Sequence, residues 1–216
     1  MNKETLEALP PLLPLEFFSL KGSLPFVKGK PSSAWMQKHC QIGSTQHLLS
    51  QEDFASIALG WDEEGLLADL LIDKPFEEAF YPQFSQGDAV ELFIDTRDRK
   101  SGGFSTRFCH HFLFLPSPVQ GISAQELTRF RSEDAHPLAD FKDLEIHTTF
   151  HKNSYGMQVK IPAHALHGFD PIAFDRLGFT YRIHRYKGSA QYFSSSGEHF
   201  SLEQHPRFWA SFTFSK

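Results

Sequence analysis

The sequence predicts an all-β fold, an antiparallel two-sheet β-sandwich of the jelly-roll or immunoglobulin-like class with one or two short helices. Three observations point there. About ten short segments alternate apolar and polar residues or crowd β-branched and aromatic types together. Clusters of Gly, Pro, Asp and Asn separate them at hairpin distances. No long helical pattern intervenes between strands, which argues against a doubly wound or barrel α/β chain. At 216 residues the chain can bury one sizeable core. It is therefore read as a single domain over 1–216, with an extended lead-in over about 1–14.

Composition narrows the function classes. The chain has 23 Phe and 12 His, a formal net charge of -5 and a pI near 6.2. It offers no bulk basic surface to nucleic acid or anionic lipid. Cys40 and Cys109 are too few for a disulfide framework and match no metal-binding spacing, so reduced buried thiols are expected. The first residues, MNKETLEALPPLLPLEFFSL, mix acids and prolines into their apolar run and do not form the core of a signal peptide. No apolar run reaches the roughly 20 residues of a membrane span. A cytoplasmic location is the default expectation, with secretion by another route as the alternative.

Taken in order, Met1–Leu9 predicts one helical turn ended by Pro10, Pro11 and Pro14, and Leu15–Leu20 a first edge strand. Leu24–Val27 and Trp35–Ile42 are weaker strand candidates, with Trp35 expected in the core. Phe54–Gly60 and Leu66–Ile72 form a hairpin across the acidic turn Asp62-Glu63-Glu64-Gly65. The aromatic connection from Asp73 to Gln86 has no clear period and is a candidate binding wall.

Gly87–Pro116 then reads as a long hairpin at the centre of one sheet, its strands over Asp88–Asp95 and Thr106–Leu115 joined by a charged, Gly-rich loop. Ser123 with Glu126 three residues later resembles a capping box, predicting a short helix over Ala124–Arg131. Leu144–His151 and Gly156–Ile161 predict another hairpin, and Pro162–His167 a helical turn closed by Gly168. Strands over Leu177–Tyr186, Gln191–Ser194 and Arg207–Phe214 complete the chain.

The chain has no GxSxG elbow, HExxH, Walker loop or GxGxxG. No catalytic residues are selected, and the chain is read as a non-enzyme. His110 and His111 are neighbours on a strand and point to opposite faces, so they cannot jointly grip one ion. His110 belongs with Phe108 and Phe112, and His111 with Cys109 and Leu113. Hydrogen-bonded structural histidines are the preferred reading over zinc ligands. Asp62, Glu63, Asp95 and Asp98 are read as solvated turns, with oxygen ligands for calcium as the alternative. Glu91 stands inside an apolar strand on the face of Phe93 and Asp95, where an unpaired carboxylate is costly. Arg97 or Arg107 across the hairpin is its expected partner, unless the face is open and the carboxylate meets sugar hydroxyls instead.

Together, GDAVELFIDTRD preceded by FASIALGWDEEGLLADLLI, then KIPAHALHGFDP, LGFTYRIHRYKGSAQYFS and PRFWASFTF, resemble the family-9 carbohydrate-binding modules and their DOMON-like relatives. The resemblance runs from about Phe54 to Phe214 and implies a β-sandwich that binds sugar ends without catalysis, with structural calcium in some members. It places Glu91 at the family's strand glutamate and Phe84 nearest to its first stacking Trp. Arg107, His110 and His111 correspond to polar residues of the following strand. Tyr192 or Phe193, beside Gln191, falls where a second stacking Trp stands. The ligand set so implied is Phe84, Glu91, Arg107, His110, His111, Gln191 and Tyr192. No cofactor other than structural calcium is implied. The alternatives are a protein-interaction domain on the same sandwich, suggested by the missing Trp pair, and a metal or hydrolytic site built from the surplus histidines.

Overall fold

Period-two alternation sorts eleven strands into two sheets in the computed structural model, which describes residues 20–49, 51–100, 104–131, 133–194 and 201–216. The strands are β1 (Lys21–Pro25), β2 (Ala55–Asp62), β3 (Gly65–Ile72), β4 (Ala89–Asp95), β5 (Cys109–Val119) and β6 (Ile122–Glu126). They continue as β7 (Glu145–Phe150), β8 (Tyr155–Pro162), β9 (Arg176–His184), β10 (Gln191–Tyr192) and β11 (Ala210–Ser215). The larger sheet has the order β1-β11-β9-β4-β5-β6, with β10 also paired to β9, and the smaller the order β2-β3-β8-β7. All pairings are antiparallel except β1 with β11 at the edge of the larger sheet. The expected sandwich is present, and its central hairpin is β4–β5.

The core lies between the sheets. Val90, Leu92 and Ile94 of β4, Phe112 and Phe114 of β5, and Leu177, Phe179, Tyr181 and Ile183 of β9 face Ile57, Leu59, Leu66, Leu70, Met157 and Val159 of the smaller sheet. Every residue of β4 is buried. The inward residues therefore meet the opposite sheet while Glu91, Phe93 and Asp95 are covered from the outer side, and this second cover is what makes a site there. In the β2–β3 turn, Gly65 has φ +149 and a Cβ there would come within 2.1 Å of Ile161 O, so the turn demands glycine.

Several local expectations are corrected. The capping-box signal at Ser123 does not start a helix, because Ile122–Glu126 pairs with β5 as an edge strand and that ladder outweighs a local preference. Trp35–Ile42 is not a strand. Ser33–His39 forms helix α1, with Ser32 Oγ accepting the Trp35 N–H at 3.3 Å as N-cap. Trp35 is 39% exposed and lies against His39 rather than in the core, which takes Met36 from this helix instead. A second short helix, α2, spans Gln46–Leu49. The expected helical turn after Pro162 is a 3-10 turn over Ala163–Ala165. The helical turn expected over Met1–Leu9 and residues 15–19 of the expected first strand lie outside the described residues. Cys40 and Cys109 are free and buried, and burial pushes the Cys109 thiol up to about 12.

Candidate ligand cleft

The outer face of the larger sheet carries a buried charge cluster at its centre. Glu91 on β4 stands directly opposite Arg182 on β9, and their side chains share the outer face. Arg182 donates through Nε to Glu91 Oε1 at 2.5 Å and through Nη2 to Oε2 at 2.8 Å. His184, two residues further along β9, lies on the same face with Nε2 2.6 Å from Oε1. His111 of β5 completes the set with Nε2 2.6 Å from Oε2. Its ring is stacked on Phe93 at 4.4 Å. Burial alone would raise the Glu91 pKa, but the bonds from His111, His184 and Arg182 prevail and hold it well below the usual carboxylate value.

The expected partners of Glu91 are thus corrected. Arg97 donates to Thr96 O and Gly168 O and lies over the Phe108 and Phe174 rings. Arg107 is exposed and bonds Asp134. Neither reaches Glu91, because both lie beyond the end of β4, whereas the neighbouring strand β9 delivers Arg182 at the same level. With its four acceptor positions engaged, Glu91 is not an open carboxylate. It holds a guanidinium fork and two imidazoles in fixed orientation.

Above this cluster lies a cleft of ≈ 530 Å³ with Glu91, His111 and Arg182 at its base. Tyr81, Pro82 and Phe84 line it from the aromatic connection, Leu127, Arg129, Phe130 and Arg131 from the segment after β6, and Glu203 and Gln204 from a 3-10 turn. The aromatic connection is fastened by Asp88, whose carboxylate accepts the Glu77 N–H at 2.8 Å, the Glu78 N–H at 3.2 Å and the Tyr186 N–H at 3.2 Å. Gly87 admits this close approach, since a Cβ there would lie 2.5 Å from Glu78 O. Across the mouth, Arg131 donates to Gln204. Glu203 Oε2 lies 3.9 Å from Arg182 Nη2 and is buried with no hydrogen-bond partner among the described residues.

Of the sequence-predicted set, Phe84, Glu91 and His111 come together in this cleft. The other four do not line it. Tyr192 is half-buried opposite Arg182, packed beside Phe93. Gln191 faces the interior and ties the sheets together: its Oε1 accepts the Phe54 and Ala55 N–H groups at 2.8 and 2.9 Å, and its Nε2 donates to Ala55 O at 2.7 Å. Arg107 is turned to Asp134. His110 occupies the opposite face of β5 from His111, stacked with Phe112 as alternation requires, and meets Glu126 and His136. The acidic set proposed for calcium is divided, with Asp62 and Glu63 in the β2–β3 turn of one sheet and Asp95 and Asp98 at the end of β4 in the other. There Asp95 accepts the Arg97 and Arg99 N–H groups, and Asp98 pairs with Lys100 and Arg176.

The aromatic connection expected as a binding wall does line the cleft through Tyr81, Pro82 and Phe84, and the residues missed by sequence reasoning are Arg182, His184, Glu203, Gln204 and the 127–131 segment. Alternation along β9 does carry a signal: Leu177, Phe179, Tyr181 and Ile183 are apolar, so Arg182 and His184 share the other face. The remainder come from irregular segments with no periodic signal.

No protein-family profile matches the sequence, and no curated protein is similar to it at a significant level. Solved structures are similar in fold. A carbohydrate binding module family 9 from Caldicellulosiruptor kristjanssonii, in complex with cellotriose, has a TM-score of 0.64 at 13% identity, covering 90% of this chain and 93% of that one. A carbohydrate binding module family 9 from the same organism, in complex with glucose, has a TM-score of 0.62 at 14% identity over 91% and 95% of the two chains. A protein from Bacteroides uniformis ATCC 8492 has a TM-score of 0.57 at 10% identity over 91% and 99%. Two sheets, their strand order and these likenesses together give the chain the β-sandwich fold of the family-9 carbohydrate-binding modules.

Proposed function

We propose that the chain is a single non-catalytic binding module that takes a sugar in the cleft over Glu91. The observation that carries this reading is the base of the cleft, where a saturated carboxylate fixes Arg182 and His111 beside Glu203 Oε2, an acceptor that has no hydrogen-bond partner among the described residues and lies 3.9 Å from Arg182 Nη2. Sugar hydroxyls are both donors and acceptors. A fixed guanidinium offers them donors and Glu203 offers an acceptor, while Tyr81, Phe84 and Phe130 provide rings for the apolar C–H face of a pyranose. The volume lies within the usual range of small-molecule sites. Structural neighbours that bind cellotriose and glucose support the same ligand class.

Glu91 in this reading is a positioning residue rather than a direct ligand contact. Phe84 is half-buried and forms part of a concave wall, which favours the sugar reading over a protein-interaction surface that has lost its cavity. Calorimetric titration with glucose and cellotriose, extended to a glycan array, tests the proposal. Saturable binding that is weakened by Glu203→Gln supports it, and the absence of heat at millimolar sugar with the protein folded overturns it.

A further inference from the structure

The geometry points to a metal site on the other face of β5, formed by His110, Glu126 and His136 and suited to zinc or a similar first-row divalent ion. This inference is independent of the sugar cleft. His110 Nδ1 and His136 Nε2 each lie 2.9 Å from Glu126 Oε1. The three ligand atoms all lie within 4.8 Å of one another, and among the described residues theirs is the one group of three or more His, Cys, Asp or Glu side chains that meets this condition. The residues are buried, His136 being the most accessible at 7%.

Three features favour an ion over a plain hydrogen-bonded cluster. The first is orientation. The far nitrogen of each ring faces a backbone carbonyl, His136 Nδ1 at 2.6 Å from Arg107 O and His110 Nε2 at 3.4 Å from His167 O. Each ring therefore donates outward and turns its other nitrogen inward, as metal-bound histidines do.

The second is crowding. Oε1 of Glu126 is approached by both imidazoles and by the Thr128 hydroxyl at 2.6 Å, while Oε2 receives the Ala139 N–H at 2.7 Å. With the ring protons turned outward, two inward nitrogen lone pairs and the Thr128 hydroxyl crowd a single carboxylate oxygen. A cation bound by one lone pair relieves this, leaving the other for Thr128, and it lets both imidazoles bind as neutral ligands through their inward nitrogens.

The third is the donor set. Two imidazoles and a carboxylate suit zinc and its neighbours rather than calcium, and bond lengths near 2.0–2.2 Å imply ligand separations of roughly 3.3 Å in a tetrahedron. Reaching them opens the two nitrogen–oxygen distances of 2.9 Å by a few tenths of an ångström. A fourth position is left for water. Entry lies past the strip around His136, where Ala135, Pro137 and Leu138 are exposed. The ion fastens the segment after β6 to the sheet, because His136 lies on that segment while His110 and Glu126 lie on β5 and β6.

The test is calorimetric titration of the chelator-stripped full chain with zinc chloride, alongside thermal unfolding. One ion per chain is expected, and at a hundredfold excess of free metal over Kd the midpoint should rise by roughly 5–10 °C. His136→Gln, a change on an irregular segment, should weaken binding on the order of 100-fold, whereas His151→Gln on the exposed surface should leave it unchanged. No binding by the folded wild-type chain overturns the site, as does binding that His136→Gln leaves intact. Neither readout involves sugar, so the site and the sugar reading stand or fall separately.

Discussion

Glu91 and Arg182 face each other across the β4–β9 ladder and close a two-bond fork at 2.5 and 2.8 Å, with the carboxylate fully buried and the guanidinium side chain 18% exposed. A buried pair of this kind gives no assurance of net stability, because desolvation offsets much of the attraction. Its asymmetry is the useful property: losing one member leaves the other charged and buried.

Arg182→Ala should therefore destabilise the fold by about 3–5 kcal/mol. Glu91→Gln/Arg182→Gln should cost less than Arg182→Ala alone, since no unpaired ion remains. Urea unfolding of the two variants checks this order, and a double variant less stable than the single one would refute the buried-charge account.

The same cluster predicts the acid limb of stability. Glu91 has a folded pKa well below its ordinary 4.5, so its contribution is full above that value and is lost as pH falls below it towards the folded pKa. Urea midpoints measured from neutral pH downward should decline through this window. Glu91→Gln should lower stability at neutral pH and flatten the decline.

Gln191 offers a different stability test. Replacing it by Ala leaves the buried Phe54 and Ala55 N–H groups and Ala55 O without their side-chain partner. The expected cost is about 3 kcal/mol, from the usual penalty for unmet buried polar groups. Sugar affinity, where measured on the folded fraction, should be unchanged because Gln191 does not line the cleft. A large affinity loss at unchanged stability would instead restore it as a ligand contact.

Phe84 should behave in the opposite way. Its ring is half-buried at the cleft wall, so Phe84→Ala should weaken sugar binding about tenfold, the value of a lost stacking contact, with a smaller effect on the unfolding midpoint than Gln191→Ala. Calorimetry and thermal unfolding on the same sample separate the two effects.

Residue alternation marked the β2–β3, β4–β5 and β7–β8 hairpins and the two faces of their strands. Period two placed His110 with Phe112 and His111 with Leu113, and it made Glu91 an anomaly needing a partner, all of which the structure bears out. The identity of that partner came from the pairing of β4 with β9. Arg97 and Arg107 are near Glu91 in sequence, but Arg182 is near it in the sheet, and strand order is a long-range choice that alternation does not encode. For the same reason, the spacing of His110, Glu126 and His136 matches no local motif: the first two meet through the β5–β6 ladder and the third is brought in by an irregular loop. At Ser123, a local helix signal yielded to the edge of a sheet that already existed to receive a strand, because ladder bonds and core contacts outweigh a single cap.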